Sequence, residues 1–250
     1  MRFPRVFVNR RAGGDRKGIS PYLFLAIIAL VFLGSLLALS PEDQPALAVS
    51  GPLSGKTLVI DAGHGGFDGG AKGRSTGQLE SPINLKIAKY VRAELMAVGA
   101  QVIMTRDEEK ALASTKRADM QKRRDIIAQE GVDAAVSIHL NCFPDPQPNG
   151  PHVFYYKDSA EGPRLAQAVQ ASLDNVLERK PREAKAGDYY VLRAGKTTCI
   201  LVECGFLSNP VDEANLLRDE YQRKIALAIV NGIVDYFTEP PVTPSESNIV

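Results

Sequence analysis

Leu58-Val59-Ile60-Asp61-Ala62-Gly63-His64-Gly65-Gly66 joins an apolar, β-branched run to a histidine set among glycines. A buried strand that ends in a ligating side chain delivers it to the carboxyl edge of an α/β sheet, where such sheets place their ligands. Two further stretches share the design: Ala134-Ala135-Val136-Ser137-Ile138-His139 and Cys199-Ile200-Leu201-Val202-Glu203. Two of the chain's three histidines thus stand at strand ends, and His64, His139 and Glu203 can meet at one rim. That pattern points to a metal hydrolase.

Outward from this stretch, strands and helices alternate. Strands are predicted over Thr57 to Ile60, Gln101 to Met104, Ala134 to Ile138, His152 to Tyr156 and Cys199 to Val202. Helices are predicted over Pro82 to Val98, Thr115 to Gln129, Gly162 to Leu177 and Glu220 to Phe237. The first helix carries Ile83, Ile87, Val91 and Leu95 on one face, with Ser81 as its cap. Such alternation predicts an α/β domain, a mostly parallel twisted sheet covered by helices on both faces. The 250 residues, 44% hydrophobic, hold one such domain and an appendage.

The appendage is amino-terminal. Residues 1–22 are basic, with six Lys/Arg before the uncharged apolar run 23–39. Such a segment is a transmembrane anchor or a signal-peptide core, and either one exports the remainder of the chain. Ala46-Leu47-Ala48 resembles a signal-peptidase site, so anchoring and cleavage both stand as readings. Residues 40–55 read as a linker, 56–238 as the catalytic domain and 239–250 as a disordered tail. The net charge of +1 includes the basic leader, so the remainder is slightly acidic and no nucleic-acid partner is expected. Three cysteines without a C-x-x-C spacing indicate neither a disulfide framework nor a cysteine zinc site.

A hydrolytic zinc site takes three N or O ligands and leaves one position open. His64 and His139 supply two. Glu80, placed after the glycine-rich loop 65–77 and at the head of a helix, is the expected third, with Asp61 and Asp68 as rivals. Asp61 is otherwise expected to hydrogen-bond an imidazole from behind. Glu203, a carboxylate closing an apolar strand, is costly to bury unless it works. Its expected role is general base and acid, taking a proton from the attacking water and giving it to a leaving nitrogen. Asn141 and Asn209 are candidate substrate contacts, or side chains closing Asx turns. Arg106 and Arg123 are solvated or meet a substrate carboxylate, and His152 is a surface or strand-edge residue, with a substrate contact as its alternative.

The segments Asp61 to Gly66, Leu79-Glu80, Ser137 to Asn141 and Val202 to Asn209 together resemble the motifs of the zinc N-acetylmuramoyl-L-alanine amidases of the Ami/Cwl type. The resemblance spans roughly Gly55 to Phe237. It implies that His64, Glu80 and His139 hold zinc, that Glu203 is catalytic, and that the substrate is the amide between the lactyl group of N-acetylmuramic acid and L-alanine in peptidoglycan. Pro52 to Lys56, Val102 to Arg106, Phe154 to Tyr156 and the single amino-terminal hydrophobic segment resemble the spore-cortex, germination-specific amidases of the CwlD type. That group helps make muramic δ-lactam during sporulation, works with a deacetylase, and includes members that need a lipoprotein activator. Cys142 and Pro151-His152 depart from the pattern without touching a ligand. The short passage from Tyr156 to Gly162 leaves no room for the autoinhibitory helix of some division amidases. Two rivals remain: a zinc peptidase acting on stem peptides, and a wall-binding module without turnover.

Overall fold

The computed structural model describes residues 50–240. The expected anchor or signal segment, most of the linker and nearly all of the tail lie outside the described residues. Among those described, no helix is long and apolar enough to cross a membrane.

Six strands form one mixed sheet: β1 (Thr57–Ala62), β2 (Gln101–Met104), β3 (Ala134–Asn141), β4 (His152–Tyr155), β5 (Lys185–Ala186) and β6 (Thr198–Phe206), in the order β2-β1-β3-β6-β4-β5. The four strands β2, β1, β3 and β6 run parallel, whereas β4 is antiparallel to β6 and carries β5 parallel to itself. The central strands β1, β3 and β6 are buried on both faces, which is why they read as near-continuous apolar runs. The strand β4 falls where its β-branched and aromatic residues predict it, but nothing local in four residues encodes its direction.

The helices are α1 (Glu80–Ala97), α2 (Lys116–Ile127), α3 (Gly162–Val176), α4 (Pro210–Leu216) and α5 (Asp219–Thr238). Alternate residues of the central strands build two cores of unequal size. Leu58, Ile60, Val136, Ile138, Ile200 and Val202 pack with α1, α3 and α5. The opposite face, with Val59, Ala135, Cys199 and Leu201, meets Ile127 of α2, the 3-10 turn Tyr190–Leu192 and Ala194, with Met120 and Ile126 of α2 partly buried against it. Asp61, Ser137, His139 and Glu203 share the parity of that second set. The less covered face is therefore where polar side chains can converge.

Three boundaries differ from expectation. The domain begins inside the expected linker, since Leu53 is fully buried and its N–H bonds to the Val98 carbonyl at 3.1 Å. The first helix starts at Glu80 rather than Pro82, so Ser81 is a residue of its first turn and not its cap. The helix α4 is absent from the predicted elements. Its apolar content is too small for a periodic signal, although Asn209-Pro210 followed by Asp212-Glu213 is a helix-start sequence.

Candidate active site

The switch in strand order falls at β1, with β2 on one side and β3 on the other. Loops leaving neighbouring strands diverge at such a point and open a crevice. His64 lies just past β1 and His139 within β3. Glu80 opens α1 after the glycine-rich loop folds back, held by Glu80 N–H to Ala71 O at 2.9 Å and Ser81 N–H to Gly69 O at 3.1 Å.

Glu80 Oε1 is the meeting point. His64 Nε2 lies 3.2 Å from it and His139 Nδ1 3.0 Å. One ligand atom from each of these residues lies within 4.8 Å of the others, the cluster of metal-binding character among the described residues. The carboxylate is buried, 3% exposed, and is fixed by N–H groups of Ala71 (2.8 Å) and Leu140 (3.0 Å) and by the Asn84 amide (3.0 Å). Burial opposes its ionisation, but the two imidazoles prevail and hold it well below the usual carboxylate range. His64 is raised above its ordinary value: burial opposes the charge, and Glu80 and Asp68 outweigh that.

Two glycines make the convergence possible. A side chain at Gly63 would put its Cβ 2.3 Å from Cε1 of the His139 ring. At Gly70, in the left-handed region at φ 69°, a Cβ would lie 2.6 Å from Glu80 Oε2. Two imidazoles and one carboxylate form an N,N,O donor set that suits a divalent ion of hydrolytic enzymes. The residues fit such an ion.

His64 itself has φ 61°, a conformation that non-glycine residues rarely adopt. Two buried guanidinium groups hold the turn there. Arg106 donates to Ala62 O (2.8 Å) and Gly63 O (2.9 Å), and Arg123 donates to Ala62 O (2.7 Å) and to His64 O. Arg123 also meets Asp61 Oδ1 and Asp119 Oδ2, each at 2.7 Å. Both arginines are thus buried braces, not solvated residues or substrate contacts.

Asp61 does not bond an imidazole. Lying fully buried in β1, it accepts from Thr105 (2.7 Å), Ser137 (2.5 Å) and Arg123. The residue behind His64 is Asp68, whose Oδ2 lies 3.0 Å from Nδ1. An Nδ1–H given to that carboxylate leaves the Nε2 lone pair free for a metal.

Glu203 pairs in register with His139 across β3 and β6. It lines a cavity of about 370 Å³ together with His64, Glu80, His139 and Asn141. It is 7% exposed, Oε2 has no hydrogen-bond partner, and burial raises its carboxyl to about 7. A buried carboxylate with an idle oxygen in a cavity is a proton acceptor awaiting a donor.

Asn209 does not enter this cavity. It caps α4, accepting from Val211 N–H (3.0 Å) and Asp212 N–H (3.1 Å), and its amide donates to Pro146 O (2.8 Å). This is the Asx-turn alternative. Beside it, Glu213 accepts from the N–H groups of Ser75 and Thr76, and Asp212 from those of Gly150 and Phe206. Two loops of the rim and the end of β6 are thereby tied to one short helix. Asn209→Ala is expected to cost about 1 kcal/mol, the usual worth of a lost N-cap, read as a lowered urea midpoint at unchanged slope.

An α/β sheet with a His-Glu-His cluster at its switch point and a free buried glutamate beside it defines a metal-dependent hydrolase of amide or ester bonds. Residues 58–235 match the family described as N-acetylmuramoyl-L-alanine amidase (Amidase_3), and the chain belongs to that family of enzymes. It is 39% identical over 198 residues to the germination-specific N-acetylmuramoyl-L-alanine amidase of Bacillus subtilis, covering 75% of this chain and 82% of that one. The CwlD amidase from Clostridioides difficile, solved in complex with the GerS lipoprotein, superposes with a TM-score of 0.69 at 36% identity, covering 72% of this chain and 98% of that one. The N-acetylmuramoyl-L-alanine amidase AmiC2 of Nostoc punctiforme gives a TM-score of 0.63 at 36% identity, covering 75% and 98%. Between Tyr155 and Gly162 the described chain has no helix.

Proposed function

We propose that this amidase is a zinc enzyme exported from the cytoplasm by its amino-terminal segment, acting on the lactyl–L-alanine amide of spore-cortex peptidoglycan. The observation that carries the site assignment is the convergence of His64 Nε2, Glu80 Oε1 and His139 Nδ1 beside the unpartnered Glu203 oxygen. His64, Glu80 and His139 are the proposed ligands. When bound, zinc supplies a Lewis acid for the carbonyl and lowers the pKa of water.

Glu203 Oε2 takes a proton from the water that attacks the lactyl carbonyl and returns it to the nitrogen of L-alanine as the C–N bond breaks. A carboxyl near neutrality in the resting fold suits both halves of that transfer. Asp68 fixes the His64 tautomer, and Asn141, on the cavity wall, donates to substrate.

The setting in the spore cortex rests on likeness to the germination-specific relative. In that setting the peptide-free muramyl product passes to a deacetylase and lactam closure. A lipoprotein activator is proposed from the solved complex of the related amidase.

The test is mass spectrometry of muropeptides after incubating the protein with peptidoglycan, with and without zinc. Zinc-dependent release of peptides led by L-alanine, with intact peptide-free glycan, supports the amidase, and cleavage inside the stem replaces it with the peptidase. Glu80→Ala and His139→Ala are each expected to lower bound zinc from about one per chain to near zero, measured by elemental analysis of the folded protein. Normal zinc content in either variant removes that residue from the ligand set.

A further inference from the structure

Beside the catalytic cavity lies a recess of about 660 Å³, and Asn141 lines both. His152 of β4 stands in register with Glu203 of β6, so the recess begins one strand from the proposed general base. Strand spacing makes that step about 4.8 Å.

The lining is net cationic, with Arg182 and Lys185 against one acid, Glu183. Arg182 gives one terminal nitrogen to Asn149 O at 2.9 Å, and Lys185 is exposed; among the described residues neither is in an ion pair. The nearby buried acid, Asp174, is engaged by the Arg182 backbone N–H (2.7 Å) and the Gln170 amide (3.1 Å). Glu183, the one acid of the lining, is exposed. Burial lowers the pKa of His152, and Lys185 and Arg182 lower it further; its Nε2 has no partner. The recess thus offers donors and positive charge, with Phe143 as an apolar wall.

On the amidase reading, two kinds of chain leave the scissile amide: an uncharged N-acetylated glycan, and a short peptide bearing free carboxylates. Unpaired cations favour the peptide. An extended residue spans about 3.5 Å, so a carboxylate one or two residues past the scissile nitrogen reaches a pocket one or two strand spacings away. We propose that this recess is the stem-peptide subsite, in which Arg182 and Lys185 bind the free carboxylate of the residue after L-alanine and Asn141 stands at the threshold to the reacting centre. This rests on the amidase reading and names the part of the substrate that steers it.

The experiment titrates the full chain carrying Glu203→Gln with three probes by calorimetry. They are a stem tripeptide with its free second-residue carboxylate, the same peptide with that group as a carboxamide, and an N-acetylmuramyl glycan oligomer whose lactyl groups are capped as carboxamides and so carry no charge. The acid is expected to bind about tenfold more tightly than the carboxamide. Lys185→Ala and Arg182→Ala, each added to that chain and checked for an unchanged melting temperature, are expected to erase the difference. Lys185→Glu, a surface change, is expected to reverse it. Equal affinity for acid and carboxamide, a preference that survives all three substitutions, or tighter binding of the glycan would overturn the proposal. Wild-type turnover on peptidoglycan is run in parallel. Its absence would remove the amidase reading, while Lys185-dependent binding of the acid would stand by itself.

Discussion

Glu203→Gln is expected to lower turnover on peptidoglycan by at least about 10³-fold while leaving zinc content unchanged, within the range that a general acid–base residue contributes. The same substitution is expected to stabilise the metal-free protein. The Glu203 carboxyl has an ordinary value of 4.5 and is raised to about 7 in the fold by burial. Between those values the unfolded chain releases the proton and the folded chain keeps it, so the wild type loses stability as pH rises. The loss approaches about 3 kcal/mol above pH 7. A glutamine does not titrate. Its advantage is therefore absent near pH 4, grows through the window and levels off, and urea titrations at pH 4, 6 and 8 measure it. A variant that keeps wild-type turnover, or whose advantage is independent of pH, contradicts the assignment.

The second large effect is on folding. Arg123→Met leaves Asp61, fully buried, without its counter-ion and removes a donor from each of Ala62 O and His64 O. Breaking one side of a buried ion pair costs about 3–5 kcal/mol, because the remaining charge stays in a medium of low polarisability. A urea midpoint lowered accordingly is the expected result. Adding Asp61→Asn should recover part of the loss, since the orphaned charge goes with it, and the non-additivity measures the pair. Zinc affinity should not recover in the double variant, because His64 still lacks its brace. Recovery of both would show that the arginine serves the charge alone.

Much of the site is legible in the sequence because its side chains sit on elements with strong local signals. The apolar runs before Asp61, His139 and Glu203 mark strands without ambiguity, and parallel strands of one sheet carry their carboxyl ends to one side. Glu80 is placed by its position between a glycine-rich loop and a periodic helix. The features that escape a sequence reading depend on contacts between distant segments. Arg106 and Arg123 look like surface residues in a loop and a polar helix, and only the carbonyls of 62–64, together with the carboxylates of Asp61 and Asp119 beside Arg123, explain their burial. Asp68 and Asp61 are indistinguishable in sequence as partners for His64. The chain path after Gly65 gives that place to Asp68, while Asp61 turns into the sheet toward Ser137. Asn209 carries both a cap signal and a substrate-facing reading, and Pro210 with two acids after it favours the cap.

The helix α4 is seven residues long, yet Asn209, Asp212 and Glu213 hold the chain at 75–76, 146, 150 and 206. Leu216, at the far end of the helix, is rooted in the main core, whereas these bonds lie at its amino end and fasten mainly the rim loops. The mouth of the enzyme is thus a separately fastened unit whose clasp can open while the sheet stays folded. Mild heating should silence the amidase, and expose amides of these loops to exchange, several degrees before the central strands let go.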